Sequence, residues 1–143
     1  IFNRLYNSHN WHLSGGDERK PEIFWHIENL KDDEYYNEYL FQIIRDRIGK
    51  SYVYKRIYAN GQTAGQCGTL HVDEGDLTFL YYPSPRWELS WQGHLIFPEE
   101  ERIIEYKPNR AVLFDAKLPH YADAPSRFFG NLRISLAYKL WKE

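Results

Sequence analysis

From Ser51 onward the chain alternates between short apolar runs and turn-forming residues, and this alternation narrows the choice of folds more than any other pattern in the sequence. Turn chemistry separates the runs, for example at Asn60-Gly61, Glu74-Gly75-Asp76 and Pro108-Asn109. We therefore predict strands at residues 52–58, 69–72, 77–82, 93–97, 102–106, 111–114 and 132–141. Short strands with this spacing are typical of a β-sandwich or a jelly-roll barrel.

A different periodicity precedes the runs. Apolar side chains recur at helical spacing at Tyr36, Leu40, Ile43, Ile44 and Ile48. Gly49 follows at a position suited to a helix C-terminus, so we predict an amphipathic helix over about 31–49. Before it, Ser14 to Asp17 indicates a turn and residues 22–27 are a candidate strand. We expect one α+β, mainly β domain over residues 1–143, with a helical support and a barrel over about 51–142.

The amino-acid composition limits the classes of function that this protein can have. The formal charge of −2 and the pI of about 6.3 offer no bulk electrostatic reason to bind nucleic acid or an anionic membrane. The single cysteine, Cys67, excludes an intrachain disulfide and fits a reducing compartment. With no long apolar run and no signal-peptide pattern, we expect a cytoplasmic protein that does not enter a membrane.

Three residues have side chains of the types that bind a metal ion. His71 and Asp73 are two positions apart, so on a strand both side chains would project from one face. His120 follows an apolar run that can return to the same place. Two histidines and one carboxylate are the ligand set of a non-haem Fe(II) centre that leaves positions open for other ligands. The pair alone also fits an ordinary surface pair, and the third histidine strengthens the metal interpretation.

The last predicted strand places two polar groups on one face. Arg133 and Ser135 alternate with apolar residues, so they share a face with Ala137 and Lys139. If this face lines a barrel, the guanidinium and the hydroxyl together can bind a carboxylate. A half-exposed strand with a solvated polar face is the alternative interpretation.

At these residues the chain resembles the 2-oxoglutarate- and Fe(II)-dependent dioxygenases, in their prolyl-4-hydroxylase-like branch of bacterial and phage type. The resemblance is carried by residues 56–62, 71–73, 77–82, 91–95, 114–120, 124–127 and 132–136. It implies a double-stranded β-helix in which His71, Asp73 and His120 bind Fe(II). It also implies that Arg133 and Ser135 bind 2-oxoglutarate, together with the phenols of Tyr58 and Tyr82; Tyr81 competes with Tyr82 for this role.

The same resemblance implies an enzyme that hydroxylates an unactivated C–H bond with O2 and releases succinate and CO2. A peptidyl proline is the leading substrate, and ascorbate is a candidate further reductant. The alternatives are a hydroxylase of a free amino acid or another small molecule, an AlkB-like nucleic-acid demethylase, and a non-catalytic cupin-like binding domain. The demethylase group usually has an arginine six positions after the one that matches Arg133, where this chain has Lys139.

Overall fold

The computed structural model describes residues 1–143, which form two antiparallel sheets and a layer of helices. One sheet has six strands in the order β1-β2-β3-β9-β4-β7, and the other has three in the order β6-β5-β8. The strands are β1 (His12–Gly15), β2 (Ile23–Ile27), β3 (Tyr52–Gln62), β4 (Leu77–Tyr82), β5 (Leu95–Phe97), β6 (Arg102–Ile104), β7 (Arg110–Asp115), β8 (Tyr121–Ala122) and β9 (Arg133–Lys142). The predicted α+β, mainly β class is therefore confirmed.

The helices lie almost entirely in the first third of the chain. They are α1 (Phe2–Tyr6), a 3-10 turn (Leu30–Asp32), a π-helical segment (Tyr35–Leu40), α2 (Phe41–Ile48) and a second 3-10 turn (Leu89–Trp91). The predicted continuous α-helix is wrong in one respect, because its first half is π-helical and only the second half is α-helical. None of these helices has the length and apolar character needed to cross a bilayer.

The two faces of β9 have different partners. Ile134, Leu136, Tyr138 and Leu140 are buried in the main core, which also contains Ile44 of α2. The opposite face is buried as well, although it carries the polar side chains of Arg133, Ser135 and Lys139. The predicted alternation of β9 is confirmed, and its polar face lies inside the protein rather than in solvent.

Two strand predictions are wrong. Asn60-Gly61 does not turn the chain, since β3 continues through both residues to Gln62 and pairs with β9 there. A Cβ on Gly61 would lie 2.8 Å from Leu132, so this glycine allows close packing instead of a turn. Residues 69–72 form no strand, and only an isolated bridge joins His71 to His120.

The structure also contains two strands that were not predicted. β1 includes Ser14 and Gly15, which were predicted to form a turn, and it pairs with β2 over four residue pairs. β8 has only two residues and pairs with β5. Both are too short for a periodic pattern to be visible in the sequence.

Candidate functional site

The isolated bridge between His71 and His120 builds the centre of the site. Each residue donates its backbone N–H to the carbonyl oxygen of the other, at 3.1 and 2.9 Å. The two imidazole centroids are 4.5 Å apart. Asp73 is held beside them by a 2.7 Å hydrogen bond from its N–H to the carbonyl oxygen of Ala116. Main-chain pairing across two segments, rather than a shared strand, therefore brings these three residues together.

The hydrogen bonds of the two rings set their tautomers. Nδ1 of His71 lies 2.8 Å from the carbonyl oxygen of Thr69, and Nδ1 of His120 lies 2.8 Å from that of Leu118. A carbonyl oxygen only accepts, so each Nδ1 carries the proton and each Nε2 keeps a free lone pair. Both Nε2 atoms lie 3.4 Å from a carboxylate oxygen of Asp73. One ligand atom from each of the three residues falls within 4.8 Å of the others, an arrangement that fits one metal ion.

The charge of Asp73 is supported from several sides. Burial by itself raises the pKa of this carboxyl, but the adjacent His120 and His71 side chains and the Lys139 ammonium hold the pKa well below its usual value. Oδ2 accepts a 2.6 Å hydrogen bond from Oγ1 of Thr78 and pairs with Nζ of Lys139. The carboxylate is therefore ionised and oriented, as a metal ligand must be.

Arg133 is the most enclosed charged group of the inner face, with 1% of its surface exposed. Its Nε donates to the carbonyl oxygen of Gly93 at 2.6 Å, and one terminal nitrogen donates to Oε1 of Gln62 at 2.8 Å. Its guanidinium carbon lies 5.4 Å from the ring centroid of Tyr82 and 4.8 Å from that of Tyr106. The second terminal nitrogen makes no hydrogen bond, so the guanidinium is held in place and still has donors for an anion.

The structure brings the other predicted co-substrate residues to the same region. Ser135 and Tyr58 line the cavity that contains the triad and Arg133. Tyr82 is completely buried beside Arg133, and its hydroxyl has no hydrogen-bond partner. Tyr81 points the other way and donates its hydroxyl to Oδ1 of Asn109 at 2.7 Å. Of the two tyrosines, Tyr82 is therefore the one that lies on the same side of its strand as Arg133.

An unpartnered buried hydroxyl is costly unless a ligand completes it. Burial also raises the pKa of Tyr82, so its phenol stays a neutral donor near neutral pH. A fixed guanidinium, a neutral phenol and the Ser135 hydroxyl are a donor set that suits a carboxylate. The residues present therefore fit both groups implied by the resemblance, a divalent metal at the triad and a dicarboxylate beside it.

Four further residues of the site were not assigned a role from the sequence. They are Gln62, Thr78, Tyr106 and Lys139. Lys139 could have been predicted from the sequence, because strand alternation places it on the same face of β9 as Arg133. Gln62 gave none, since it follows the Asn60-Gly61 pair that suggested a turn.

A groove leads from the surface to the triad. His71 and Asp73 line it; the His71 side chain is 47% exposed, whereas Asp73 and the neighbouring His120 are buried. The groove wall carries charges of both signs, from Lys20, Glu22, Arg56 and Glu74. The site is therefore accessible to a substrate from one side, and the groove has no net charge preference.

No protein-family model and no curated protein matches this sequence. Several solved structures match over nearly the whole chain. An oxidoreductase of the 2OG-Fe(II) oxygenase family from Burkholderia pseudomallei has a TM-score of 0.72 at 13% identity, covering 99% of this chain and 78% of that one. The viral collagen prolyl hydroxylase of Paramecium Bursaria Chlorella virus-1, solved with 2OG, has a TM-score of 0.69 at 12% identity, covering 95% and 98%.

A prolyl hydroxylase from Trichoplax adhaerens, in complex with a peptide fragment of the oxygen degradation domain of hypoxia inducible factor, has a TM-score of 0.66. Its identity to this chain is 18%, and the match covers 98% of this chain and 73% of that one. At these identities the likeness concerns the fold. It confirms the predicted double-stranded β-helix and shows that this chain has the fold of 2OG-Fe(II) oxygenases, prolyl hydroxylases among them.

Proposed function

We propose that this protein is a 2-oxoglutarate- and Fe(II)-dependent dioxygenase that hydroxylates a C–H bond, with a peptidyl proline as the leading substrate. One observation carries the proposal: a single cavity is lined by His71, Asp73, His120, Arg133 and Ser135. A metal triad alone would fit many binding proteins. A triad with a buried guanidinium and hydroxyl in the same cavity fits a metal centre that works with a small dicarboxylate.

The triad would hold Fe(II) through Nε2 of His71, Nε2 of His120 and a carboxylate oxygen of Asp73. When bound, Fe(II) supplies the chemistry that couples conversion of 2-oxoglutarate to succinate and CO2 with insertion of one oxygen atom of O2 into the substrate. The role of the protein is to hold the metal ligands and the reactants in the correct positions. The backbone carbonyls of Thr69 and Leu118 fix both rings, so that both Nε2 lone pairs are directed to one place.

The co-substrate would occupy the space between the triad and Arg133. Its distal carboxylate would accept hydrogen bonds from the free terminal nitrogen of Arg133, from the Tyr82 hydroxyl and from Ser135. Tyr58 would close the cavity toward the groove, because it lines both. Burial of these donors excludes competing water and strengthens each hydrogen bond.

A peptide is the substrate class that the groove suits best. It runs along the surface to the half-exposed His71, so an extended segment can place one side chain at the metal. The peptide-bound neighbour from Trichoplax and the viral collagen prolyl hydroxylase make proline the first residue to test. The formal charge of −2 argues against nucleic acid.

The test is an anaerobic titration of the whole protein with Fe(II) and then 2-oxoglutarate, following the metal-to-ligand charge-transfer absorption. We expect a band that requires both additions. His71→Ala should abolish the band without unfolding the protein, because that side chain is half-exposed. His9→Ala, at an exposed position that is not one of the three triad residues, is the matched control and should keep the band. Folded protein without a band would contradict the proposal and favour a non-catalytic barrel.

The substrate class is tested separately by succinate formation under O2, with and without ascorbate. Proline-containing peptides, free amino acids and methylated oligonucleotides are compared, and products are examined by mass spectrometry. We expect succinate formation to be stimulated by peptides, with addition of one oxygen atom to proline. Stimulation by free amino acids or oligonucleotides alone would contradict the peptidyl substrate while leaving the dioxygenase reaction intact.

A further inference from the structure

Lys139 is a buried cation in direct contact with a proposed metal ligand. It is 4% exposed, and its ammonium pairs with Oδ2 of Asp73. It also lies 3.2 Å from Oγ1 of Thr78, whose hydroxyl donates to the same Oδ2 at 2.6 Å. Thr78 is completely buried. The proposed function assigns no role to either residue.

The two carboxylate oxygens of Asp73 are therefore unequal. Each oxygen lies 3.4 Å from one imidazole, Oδ1 from Nε2 of His71 and Oδ2 from Nε2 of His120. Oδ2 is in addition engaged by Lys139 and Thr78, whereas Oδ1 has no other polar side chain nearby. A metal-binding carboxylate can use one oxygen or both. An oxygen that already accepts two hydrogen bonds from buried donors is poorly placed to enter the coordination sphere as well.

No other carboxylate can replace Asp73 as the partner of Lys139. Asp73 is the only carboxylate within ion-pairing distance of Lys139. A buried ammonium without a partner is strongly unfavourable. Lys139 is therefore held on Oδ2 whether or not a cation occupies the triad.

We infer that Lys139, with Thr78, is a positioning residue that restricts Asp73 to a single metal-binding oxygen, Oδ1. This inference rests on the proposed metal centre and deepens it. Three donor atoms from the protein leave about three of six octahedral positions open, the number that a bidentate co-substrate and O2 together require. If Asp73 bound the metal through both carboxylate oxygens, it would occupy one of those open positions.

The number of open coordination positions on the metal can be measured without the co-substrate and without turnover. Mn(II) takes oxygen and nitrogen ligands in octahedral geometry, and the water-proton relaxivity of a bound Mn(II) is proportional to the number of exchanging waters on it. The experiment compares the relaxivity of the Mn(II)-saturated whole protein with that of Lys139→Met, which keeps an unbranched stem and removes the ammonium. Lys142→Met, at an exposed position of the same strand, is the control.

We expect Lys139→Met to lower the relaxivity to about two-thirds of the wild-type value, as three waters become two, and Lys142→Met to leave it unchanged. If Lys139→Met does not fold, Thr78→Val tests the same oxygen with a side chain of the same shape and is expected to lower the relaxivity. Wild-type relaxivity in a folded Lys139→Met or Thr78→Val variant that binds Mn(II) would overturn the positioning role and leave the proposed function standing. Wild-type protein that binds no Mn(II) would overturn the metal centre, and this inference with it.

Discussion

Gly93 and Arg133 are in direct contact across the inner face of the barrel. The carbonyl oxygen of Gly93 accepts a 2.6 Å hydrogen bond from Nε of Arg133, and a Cβ at position 93 would lie 2.9 Å from Cδ of the arginine. Gly93 also has a φ of +74°, a conformation that side chains disfavour. This glycine therefore allows both the left-handed backbone conformation and the close approach of the guanidinium.

Gly93→Ala is expected to weaken 2-oxoglutarate binding and to destabilise the fold by about 1–2 kcal/mol from backbone strain. Gly65→Ala is the matched control, because Gly65 has a φ of +82° with nothing within 4 Å of its Cβ position. Urea unfolding should show a loss of stability in both variants. Only Gly93→Ala should change the 2-oxoglutarate concentration needed for the charge-transfer band, and equal affinities in the two variants would refute the contact.

Tyr82→Phe is expected to weaken 2-oxoglutarate binding without destabilising the fold. The Tyr82 hydroxyl is buried without a partner, so its removal should leave the unliganded protein as stable as before or more stable by about 1 kcal/mol. Binding of 2-oxoglutarate should weaken by about 1 kcal/mol, roughly fivefold, because one donor is lost. Tyr81→Phe removes a hydroxyl from the outer face and should leave the affinity unchanged. A loss of affinity in Tyr81→Phe alone would reverse the assignment.

A double-mutant cycle should reveal coupling between Asp73 and Lys139 in metal-free protein. Asp73→Asn leaves the buried ammonium without its carboxylate, which is expected to cost about 3–5 kcal/mol. Adding Lys139→Met removes that unpaired charge, so the double variant should be less destabilised than the sum of the single variants. The coupling should lie in the range of about 0.5–3 kcal/mol by urea unfolding with a chelator present. Additive losses would show that the pair contributes nothing jointly.

His26 is expected to make stability depend on pH. Burial lowers its pKa from the usual 6.5, and the 2.8 Å hydrogen bond to Asn60 opposes this only in part. The unfolded chain then binds the proton more readily than the folded protein does. The contribution of His26 is therefore fully present above pH 6.5 and is lost as the pH falls through the lower folded pKa.

Thermal unfolding at about pH 7.5 and about pH 5 measures this effect. His26→Gln should reduce the difference in melting temperature between the two values relative to wild type. His9→Gln, at an exposed position, serves as the control and should behave as wild type does. An unchanged difference in His26→Gln would assign the acid sensitivity to other groups.

Much of the site was visible in the sequence because its signals are local. In β9, alternation alone separated Arg133 and Ser135 from the core residues, since neighbouring side chains on a strand point to opposite faces. The residue types at positions 71, 73 and 120 indicated a candidate metal centre, because two histidines and one carboxylate are a common set of metal ligands.

The placement of those ligands was predicted for the wrong reason. His71 and Asp73 do not lie on one strand, and the backbone exchange with His120 aligns them instead. Such a bridge between two irregular segments has no periodic pattern, so only the folded chain reveals it. The same holds for Asn60-Gly61, where packing against Leu132 overrides a strong local preference for a turn.

Side-chain chemistry and strand alternation are properties of short stretches, and from them followed the mainly β class, the inward face of β9 and the identity of the candidate ligands. Pairings between distant residues depend on which segments the two sheets bring together. Gln62 therefore meets Arg133, and Lys139 meets Asp73, only once the chain has folded and β3 and β4 flank β9 in one sheet. Burial then decides their effect, because in the interior an ammonium or a guanidinium must find a partner that water would otherwise supply.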